Sequence, residues 1–328
     1  MTKVQNFSGI DISKNSFNVC VEHEGKLHHK KFVYTDDGMF NCLCFLPTGV
    51  HCVMESTGTY HCRLAYFLHR HGVPVSVVNP LSVKRFSQSL QLRAKTDKAD
   101  SQMLLAYGKM FTPKLWRPKP DGYVELQQLI GLHELLGRQA QAAKNQLEAI
   151  AHSVIQSSFA VEMLQRRVEQ LQEDMLQLEQ RMELLAREQS EKDFDCLLSI
   201  PGFGKKTAVI LLAITQGMQE FDSAKQVSAY IGICPRVYQS GTSVKGAGKI
   251  CKMGMSLVRK LLYMCALSAK RVNKACREMY ERLLTQGKSK KLALIAVANK
   301  LIKQAFAIVK RKIVSCSEIA LQKITLKK

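Results

Sequence analysis

The first 80 residues alternate short apolar runs with turns. The runs Phe7 to Val21, His28 to Tyr34, Val50 to Met54 and Val73 to Val78 are rich in residues that favour strands. The segment from Tyr60 to His71 has the character of a helix. Because apolar runs of this length between turns are typical of strands, the order strand, strand, strand, helix, strand predicts an α/β domain.

Helical periodicity takes over from Asp121 and becomes strict from Val161. Apolar residues recur there at spacings of three and four, which is the pattern of a coiled-coil seam. A second amphipathic stretch, Leu126 to Ile150, precedes it, so an intramolecular hairpin and pairing between chains both stay open. Either arrangement predicts a helical spacer. The seam consists of Val161, Leu164, Val168, Leu171, Met175, Leu178, Met182 and Leu185.

Four carboxylates stand at the ends of predicted elements. Asp11 lies inside the first apolar run and Glu55 closes the third, whereas Asp97 and Asp100 are three residues apart and therefore share one helical face. A charge in a buried strand is costly unless a metal ion or a partner compensates it. Carboxylate oxygens suit Mg²⁺ or Mn²⁺, which hold the attacking and leaving oxygens of a phosphodiester. For each residue taken singly, a helix cap or a turn is the competing interpretation.

The charge of the chain is concentrated in its last part. The net charge is +21, and between Leu197 and Lys328 there are 25 Lys and Arg against five Asp and Glu. This excess predicts a nucleic-acid partner. No apolar stretch is expected to be long enough to span a bilayer, and 328 residues with 46% hydrophobic content predict a soluble protein. The start has no secretory-signal pattern, so the eleven cysteines are expected to be reduced thiols in a bacterial-type cytoplasm.

Two glycine-rich segments in the basic part are candidates for contact with phosphate. The first, Ile200 to Thr207, predicts a helix-hairpin-helix-like turn that offers backbone N–H groups to DNA, although a plain connector has the same composition. The second runs from Tyr230 to Arg259. A basic stretch before Asp97 adds further cations, with a solvated helix face as the alternative. The candidate nucleic-acid-binding residues are Lys84, Arg85, Arg93, Gly202, Gly204, Lys205, Lys206, Arg236, Gly241, Lys245, Lys249, Lys252 and Arg259.

Ser240 is a candidate nucleophile in the second segment. A hydroxyl needs a base or a metal ion to attack phosphate. All nine histidines lie at or before His152, so a Ser–His pair within the basic domain is excluded. If Ser240 attacks, the carboxylate site of the same chain or of another chain must activate it. Taken alone, a serine in such a segment is more often a hydroxyl that contacts phosphate than a nucleophile.

Five motifs together resemble the DEDD transposases of the insertion-sequence-110 family, which are relatives of the Piv invertase. The resemblance covers residues from about 5 to 275. Cys251 departs from it, because the family usually has serine there. The motifs are Gly9-Ile10-Asp11-Ile12-Ser13-Lys14, Glu55-Ser56-Thr57-Gly58-Thr59-Tyr60, Lys95-Thr96-Asp97-Lys98-Ala99-Asp100, Ile200-Pro201-Gly202-Phe203-Gly204 and Tyr238-Gln239-Ser240-Gly241.

The resemblance implies a RuvC-like (ribonuclease-H-like) domain over 1–155, a coiled coil over 156–195 and a mainly helical transposase domain over 196–328. It implies that Asp11, Glu55, Asp97 and Asp100 bind Mg²⁺ or Mn²⁺ and that Ser240 forms a covalent link to DNA. It further implies a bridge RNA that pairs with target and donor DNA, and a tetramer with sites shared between protomers. The tail beyond about Lys288 reads as a basic amphipathic helix, for nucleic-acid contact or for ordinary packing.

The sequence therefore predicts an RNA-guided DNA recombinase of a mobile element, without a membrane partner and associated with the nucleoid when bound to DNA. Two alternatives remain. One is a RuvC-like junction nuclease that hydrolyses DNA with the four carboxylates and makes no covalent intermediate. The other is a catalytically silent nucleic-acid-binding protein.

Overall fold

The computed structural model describes residues 6–56, 58–90, 96–236, 239–240, 244–245 and 249–311, with backbone pairing alone for 239–240 and 244–245. The chain divides into two compact units, Met1–Lys119 and Pro120–Lys328. The boundary between the units precedes the first long helix. The sequence-based boundaries at 155 and 195 stay predictions.

The first unit is a mixed α/β structure built on a five-stranded sheet. The strand order is β3-β2-β1-β4-β5. β1, β2 and β3 pair antiparallel, whereas β4 runs parallel to β1 and β5 parallel to β4. The elements are β1 (Phe7–Ile12), β2 (Ser16–His23), β3 (Lys26–Val33), α1 (Asp36–Phe45), β4 (His51–Glu55), α2 (Tyr60–Arg70), β5 (Val75–Val78), α3 (Pro80–Ser89) and α4 (Asp97–Phe111).

The predicted strands all occur, but the first apolar run forms two of them. It turns back at Ser13, whose backbone N–H donates to the carbonyl of Ser16 at 2.9 Å, and β1 and β2 then pair as a hairpin. The sequence analysis did not predict α1 or α3. α1 begins after Thr35, whose hydroxyl caps the helix by accepting from the N–H of Gly38. Asn79 caps α3 in the same way.

Helices cover both faces of the sheet because side chains alternate along each strand. Ile10 and Met54 point to the face on which α1 and α2 pack. Phe7 and Val53 point to the opposite face and contact residues of α3 and α4. The two faces of the sheet therefore carry separate apolar cores. The helix α4 packs on the face to which Phe7 and Val53 point.

The second unit is helical, with short two-residue strands between α8 and α9. Its core lies among α7, α9 and α11. The elements are α5 (Asp121–Ala151), α6 (Ser158–Leu198), α7 (Lys205–Thr215), α8 (Ala224–Ile231), β6 (Pro235–Arg236), β7 (Gln239–Ser240), β8 (Val244–Lys245), β9 (Lys249–Ile250), α9 (Ser256–Val272), α10 (Lys274–Thr285) and α11 (Lys290–Arg311).

The helices α5 and α6 of one chain pack along each other as a hairpin. The predicted seam residues of α6 are all buried or half-buried, as pairing along this stripe requires. Arg181 reaches across to Glu125 at 3.1 Å and Arg167 to Gln139 at 3.5 Å. The intramolecular alternative therefore describes the pairing in this chain, while the supercoil of a coiled coil stays a prediction.

The helix α11 corrects one sequence-based expectation. By length and composition it is apolar enough to cross a membrane, although no such stretch was expected. Its apolar side is packed into the core of the second unit, where Ala293, Val297, Leu301 and Ile308 are fully buried or nearly so. This packing explains the high hydropathy of α11, because a core helix is apolar too. Of the two interpretations given for this tail, ordinary packing therefore explains its apolar face.

Candidate active site and nucleic-acid interface

Strand alternation directs two of the four carboxylates to the face of the sheet that carries α4. Asp11 follows Phe7 and Gly9 at intervals of two residues in β1, and Glu55 follows Val53 in β4. Their strands are adjacent and parallel, and Ile10 pairs with Met54 immediately before the two carboxylates. Asp11 and Glu55 therefore emerge side by side at the carboxyl ends of β1 and β4.

The first turn of α4 supplies the other two carboxylates. Thr96 caps the helix by accepting a hydrogen bond from the N–H of Ala99 at 3.2 Å, so Asp97 and Asp100 both fall in its first turn. α4 lies directly against β1. A Cβ atom on Gly9 would be 1.9 Å from the carbonyl oxygen of Ser101, so only glycine permits this approach.

The four carboxylates interact electrostatically. The pKa of Asp11 is raised to about 6, chiefly by burial and then by the negative charges of Asp100, Asp97 and Glu55, in that order of effect. Such a shift arises where like charges share a partly desolvated site. The structure thus brings all four predicted residues to one place, although their chemical role stays a prediction.

The donor set fits a hard divalent cation, because it consists of carboxylate oxygens whose mutual repulsion a cation would relieve. As the side chains stand, no three Asp, Glu, His or Cys groups within the described ranges are arranged to hold a metal ion together. The fit therefore concerns the type and charge of the donors. It does not extend to a formed coordination geometry.

Asn18 is a neighbour of this site that the sequence analysis missed. It pairs with Asp11 in the register of β1 and β2, and its side-chain amide donates to Oδ2 of Asp97 at 3.4 Å. The amide group thus contacts the helix carboxylate from the adjacent strand. The sequence signal was the alternation of side chains along β2, which places Asn18 opposite Asp11. This alternation can be used only once the first apolar run is divided into two strands.

The segment that carries Ser240 contains a short pair of antiparallel strands. Gln239 and Ser240 form β7, which pairs with Val244 and Lys245 of β8. The side chains of Ser240 and Lys245, and Gly241 as a whole, lie outside what the structure describes, as does Arg93. The roles predicted for these four residues stay predictions.

Six of the predicted nucleic-acid-binding cations in the described ranges are exposed, as contact with phosphate would require, and Lys205, which has a partner on α6, is one of them. Lys84 and Arg85 lie on the outer side of α3, next to the buried Val83 and Phe86. Arg236, Lys249 and Lys252 are exposed at the strand pair β6 and β9 and just after it. Exposure alone does not distinguish phosphate contact from a solvated surface.

Three of the candidates have protein partners. Lys205 pairs with Glu183 of α6 at 3.0 Å, and Lys206 contacts both Glu179 and His133. Arg259 donates to two backbone carbonyls. Each of these contacts holds a loop or a helix end in place, so the cation has a structural partner whether or not it also meets DNA.

The predicted helix-hairpin-helix-like turn is shaped by packing at Gly202. Its φ of +100° is in the region that favours glycine, and a Cβ atom there would lie 2.7 Å from the Cβ of Ala269 in α9. Gly204 precedes α7 and has open space where its Cβ would be. Of the two glycines, Gly204 is the one that leaves room for a ligand.

Comparison with known proteins agrees with these features. Residues 8–155 match the family model of IS110-type DEDD transposases, and residues 195–281 match the transposase IS116/IS110/IS902 family. The chain is similar to the pilin gene-inverting protein of Moraxella bovis, with 30% identity over 320 residues that cover 93% of this chain and 96% of that protein. It is also similar to the transposase for insertion sequence element IS1111A of Coxiella burnetii, with 24% identity over 89% of this chain and 86% of that one. The transposase for insertion sequence element IS1328 of Yersinia enterocolitica is 27% identical over 79% of this chain and 82% of its own length.

Proposed function

Because this chain belongs to the IS116/IS110/IS902 family of transposases and is a DNA-recombining enzyme, we propose that its four carboxylates and Ser240 together carry out strand transfer. The observation that carries the proposal is the convergence of Asp11, Glu55, Asp97 and Asp100 at one edge of the sheet. The strand order supports a ribonuclease-H-like, RuvC-like arrangement of the first unit.

In the proposed reaction, Oγ of Ser240 attacks a phosphodiester phosphorus. A phosphoserine bond forms, one phosphorus–oxygen bond of the DNA breaks, and a deoxyribose hydroxyl leaves. The hydroxyl of another strand then attacks the phosphoserine, which restores the serine and joins the new strand. Since the covalent link retains the energy of the phosphodiester, the exchange requires no ATP.

The tetrad carboxylates would hold Mg²⁺ or Mn²⁺, which when bound supplies positive charge at the phosphate oxygens. The chain's own contribution is to position that site on rigid elements, with Asp11 and Glu55 on strands and Asp97 and Asp100 on a capped helix. The proposal gives the serine proton to one of these carboxylates, and a histidine of the basic domain is excluded from that role, because every histidine lies at or before His152.

The partners are part of the proposal. DNA is the substrate of the family. A bridge RNA would select target and donor DNA, and a tetramer would join the carboxylate site of one protomer to the serine of another. The strongly basic sequence from Leu197 supports contact with two polyanions at once.

A serine variant provides the decisive test. In Ser240→Ala, recombination and any denaturation-resistant protein–DNA adduct should disappear, whereas Ser243→Ala serves as a matched control in the same segment. If cleavage persists in Ser240→Ala and is lost in Asp11→Asn, the protein is instead a metal-dependent junction nuclease. If both variants and the wild type bind DNA without cutting it, the chain is a silent binding protein.

Guidance by RNA needs its own measurement. Purified protein should bind and recombine element DNA only when the transcript of the flanking non-coding DNA is added. A transcript with scrambled loops is the control. Equal recombination with either RNA, or with none, would remove the bridge RNA from the proposal.

A further inference from the structure

The Ser240 segment is joined to the fold by a short stem of paired backbone. Pro235 pairs with Ile250 and Arg236 with Lys249. The pairing extends toward the base of the stem, where the N–H of Cys251 donates to the carbonyl of Cys234 at 3.0 Å. The N–H of Lys252 donates to the carbonyl of Gly232 at 3.1 Å. The position of whatever lies between 236 and 249 therefore depends on this stem.

Two glycines allow the chain segments at the base of the stem to touch. A Cβ atom on Gly232 would lie 2.3 Å from the carbonyl oxygen of Met253, and one on Gly254 would lie 2.3 Å from that of Tyr230. Both glycines have positive φ, +79° and +131°. Since no other residue fits these positions without displacing backbone, the two segments are built to pass in direct contact.

Arg259 of α9 fastens the two segments together. Its Nη1 atom donates to the carbonyl of Ile231 at 3.0 Å and to the carbonyl of Gly254 at 2.9 Å. Ile231 ends α8 on one side of the base, and Gly254 precedes α9 on the other. One guanidinium nitrogen thus bridges the outgoing and the returning chain, and the side chain is half-buried in doing so.

We infer that Arg259 is a positioning residue for Ser240, acting by holding the stem of the serine segment closed rather than by contacting DNA phosphate. The inference rests on the proposed role of Ser240 as nucleophile. Arginine suits this task because its planar fork donates in fixed directions and stays charged at every working pH. A charged donor also makes a stronger hydrogen bond to a carbonyl than a neutral one.

The test compares two variants that remove one positive charge from neighbouring positions of α9. Arg259→Gln loses the bridge, whereas Lys260→Gln changes an exposed residue. At saturating DNA, the single-turnover rate of adduct formation should fall in Arg259→Gln by on the order of tenfold to a hundredfold. The half-saturating DNA concentration and the slope of log affinity against log salt should match those of Lys260→Gln.

A lysine variant adds a second readout, since Arg259→Lys keeps the charge but not the fork. A positioning role predicts that lysine restores little of the adduct rate. A phosphate contact predicts that lysine restores DNA affinity and that Arg259→Gln lowers the salt slope by roughly one unit. The second pattern would overturn the inference.

Stem closure can be measured without DNA and without serine chemistry. Cys234 and Cys251 oppose each other at the base of the stem, so the azo oxidant diamide should take two hydrogens from the two thiols and leave a disulfide. Peptide mass spectrometry should find this cross-link forming more slowly in Arg259→Gln than in Lys260→Gln. Equal cross-linking would refute the role of Arg259. Activity in Ser240→Ala, by contrast, would refute only the nucleophile.

Discussion

The ammonium nitrogen of Lys206 lies 3.0 Å from Oε1 of Glu179, so the lysine in the first turn of α7 is paired with the long helix α6. The same nitrogen is 3.1 Å from Nε2 of His133 on α5. Burial and the nearby Lys206 charge lower the pKa of His133. Burial alone would raise the pKa of Glu179, but Lys206 and His133 outweigh it and lower that pKa. The three groups join the helical hairpin to the glycine turn.

This arrangement predicts that Lys206 contributes to stability more than to DNA affinity. Lys206→Met and Glu179→Gln should each lower the free energy of unfolding, and their effects should not add, because both remove the same contact. The side chains are 35% and 43% exposed, so solvent limits the coupling to about 1 kcal/mol or less. A double-mutant cycle by urea denaturation measures it.

The DNA side of that prediction has a separate control. The salt slope of DNA binding should be unchanged in Lys206→Met and reduced in Lys249→Met, which alters an exposed cation at the strand pair. A reduced slope in Lys206→Met, with stability preserved, would show that Lys206 contacts DNA phosphate.

Two glycines of the predicted DNA-binding turn should respond differently to alanine. Gly202→Ala places a Cβ atom 2.7 Å from that of Ala269 at a positive φ, so we expect a loss of stability of about 2 kcal/mol or more. Gly204→Ala meets open space and should change stability little. If DNA backbone approaches at this turn, Gly204→Ala should weaken DNA binding while its melting temperature stays near that of the wild type.

The contact between α4 and β1 should be equally sensitive to replacement of its glycine by alanine. In Gly9→Ala, the new methyl group would meet the carbonyl of Ser101 at 1.9 Å and the N–H nitrogen of Leu105 at 2.4 Å. The helix must shift, and its two carboxylates shift with it, so strand cleavage and melting temperature should both fall. Gly131→Ala on the open surface of α5 is the control and should leave cleavage unchanged. Normal cleavage in Gly9→Ala would contradict the importance of this approach.

The raised pKa of Asp11 predicts that the metal-free protein loses stability as the pH rises. Since the pKa is about 6 in the folded chain and 3.8 ordinarily, the folded state binds more protons between these values. Its stability relative to the unfolded state therefore falls as pH rises from about 4 to about 6. The full shift corresponds to at most roughly 3 kcal/mol.

Asp11→Asn should remove this loss of stability. Its melting temperature without divalent cations should exceed that of the wild type at pH 8, and the difference should vanish near pH 4. Added Mg²⁺ should raise the melting temperature of the wild type more than that of the variant. A constant difference at every pH would show that repulsion among the carboxylates is not its source.

The sequence by itself determined several of the elements and the position of the carboxylates at their ends. Alternation and helical spacing are local properties, so β4, β5, α2, α5 and the first turn of α4 could be predicted from neighbouring residues. Parallel strands end at a common edge of a sheet, so Asp11 and Glu55, each near the end of a predicted strand, fall side by side where those strands are parallel neighbours. The motifs added the family.

Tertiary structure alone decided what the cations contact. Lys206 meets a glutamate 27 residues before it and a histidine 73 residues before it, and Arg259 reaches a carbonyl 28 residues away. The split of the first apolar run into β1 and β2 did have a local signal that the sequence analysis missed, because the polar residues Ser13, Lys14 and Asn15 separate the two strands. The contacts of these cations depend on how the helices pack, and packing is set by the sum of many distant contacts rather than by local pattern.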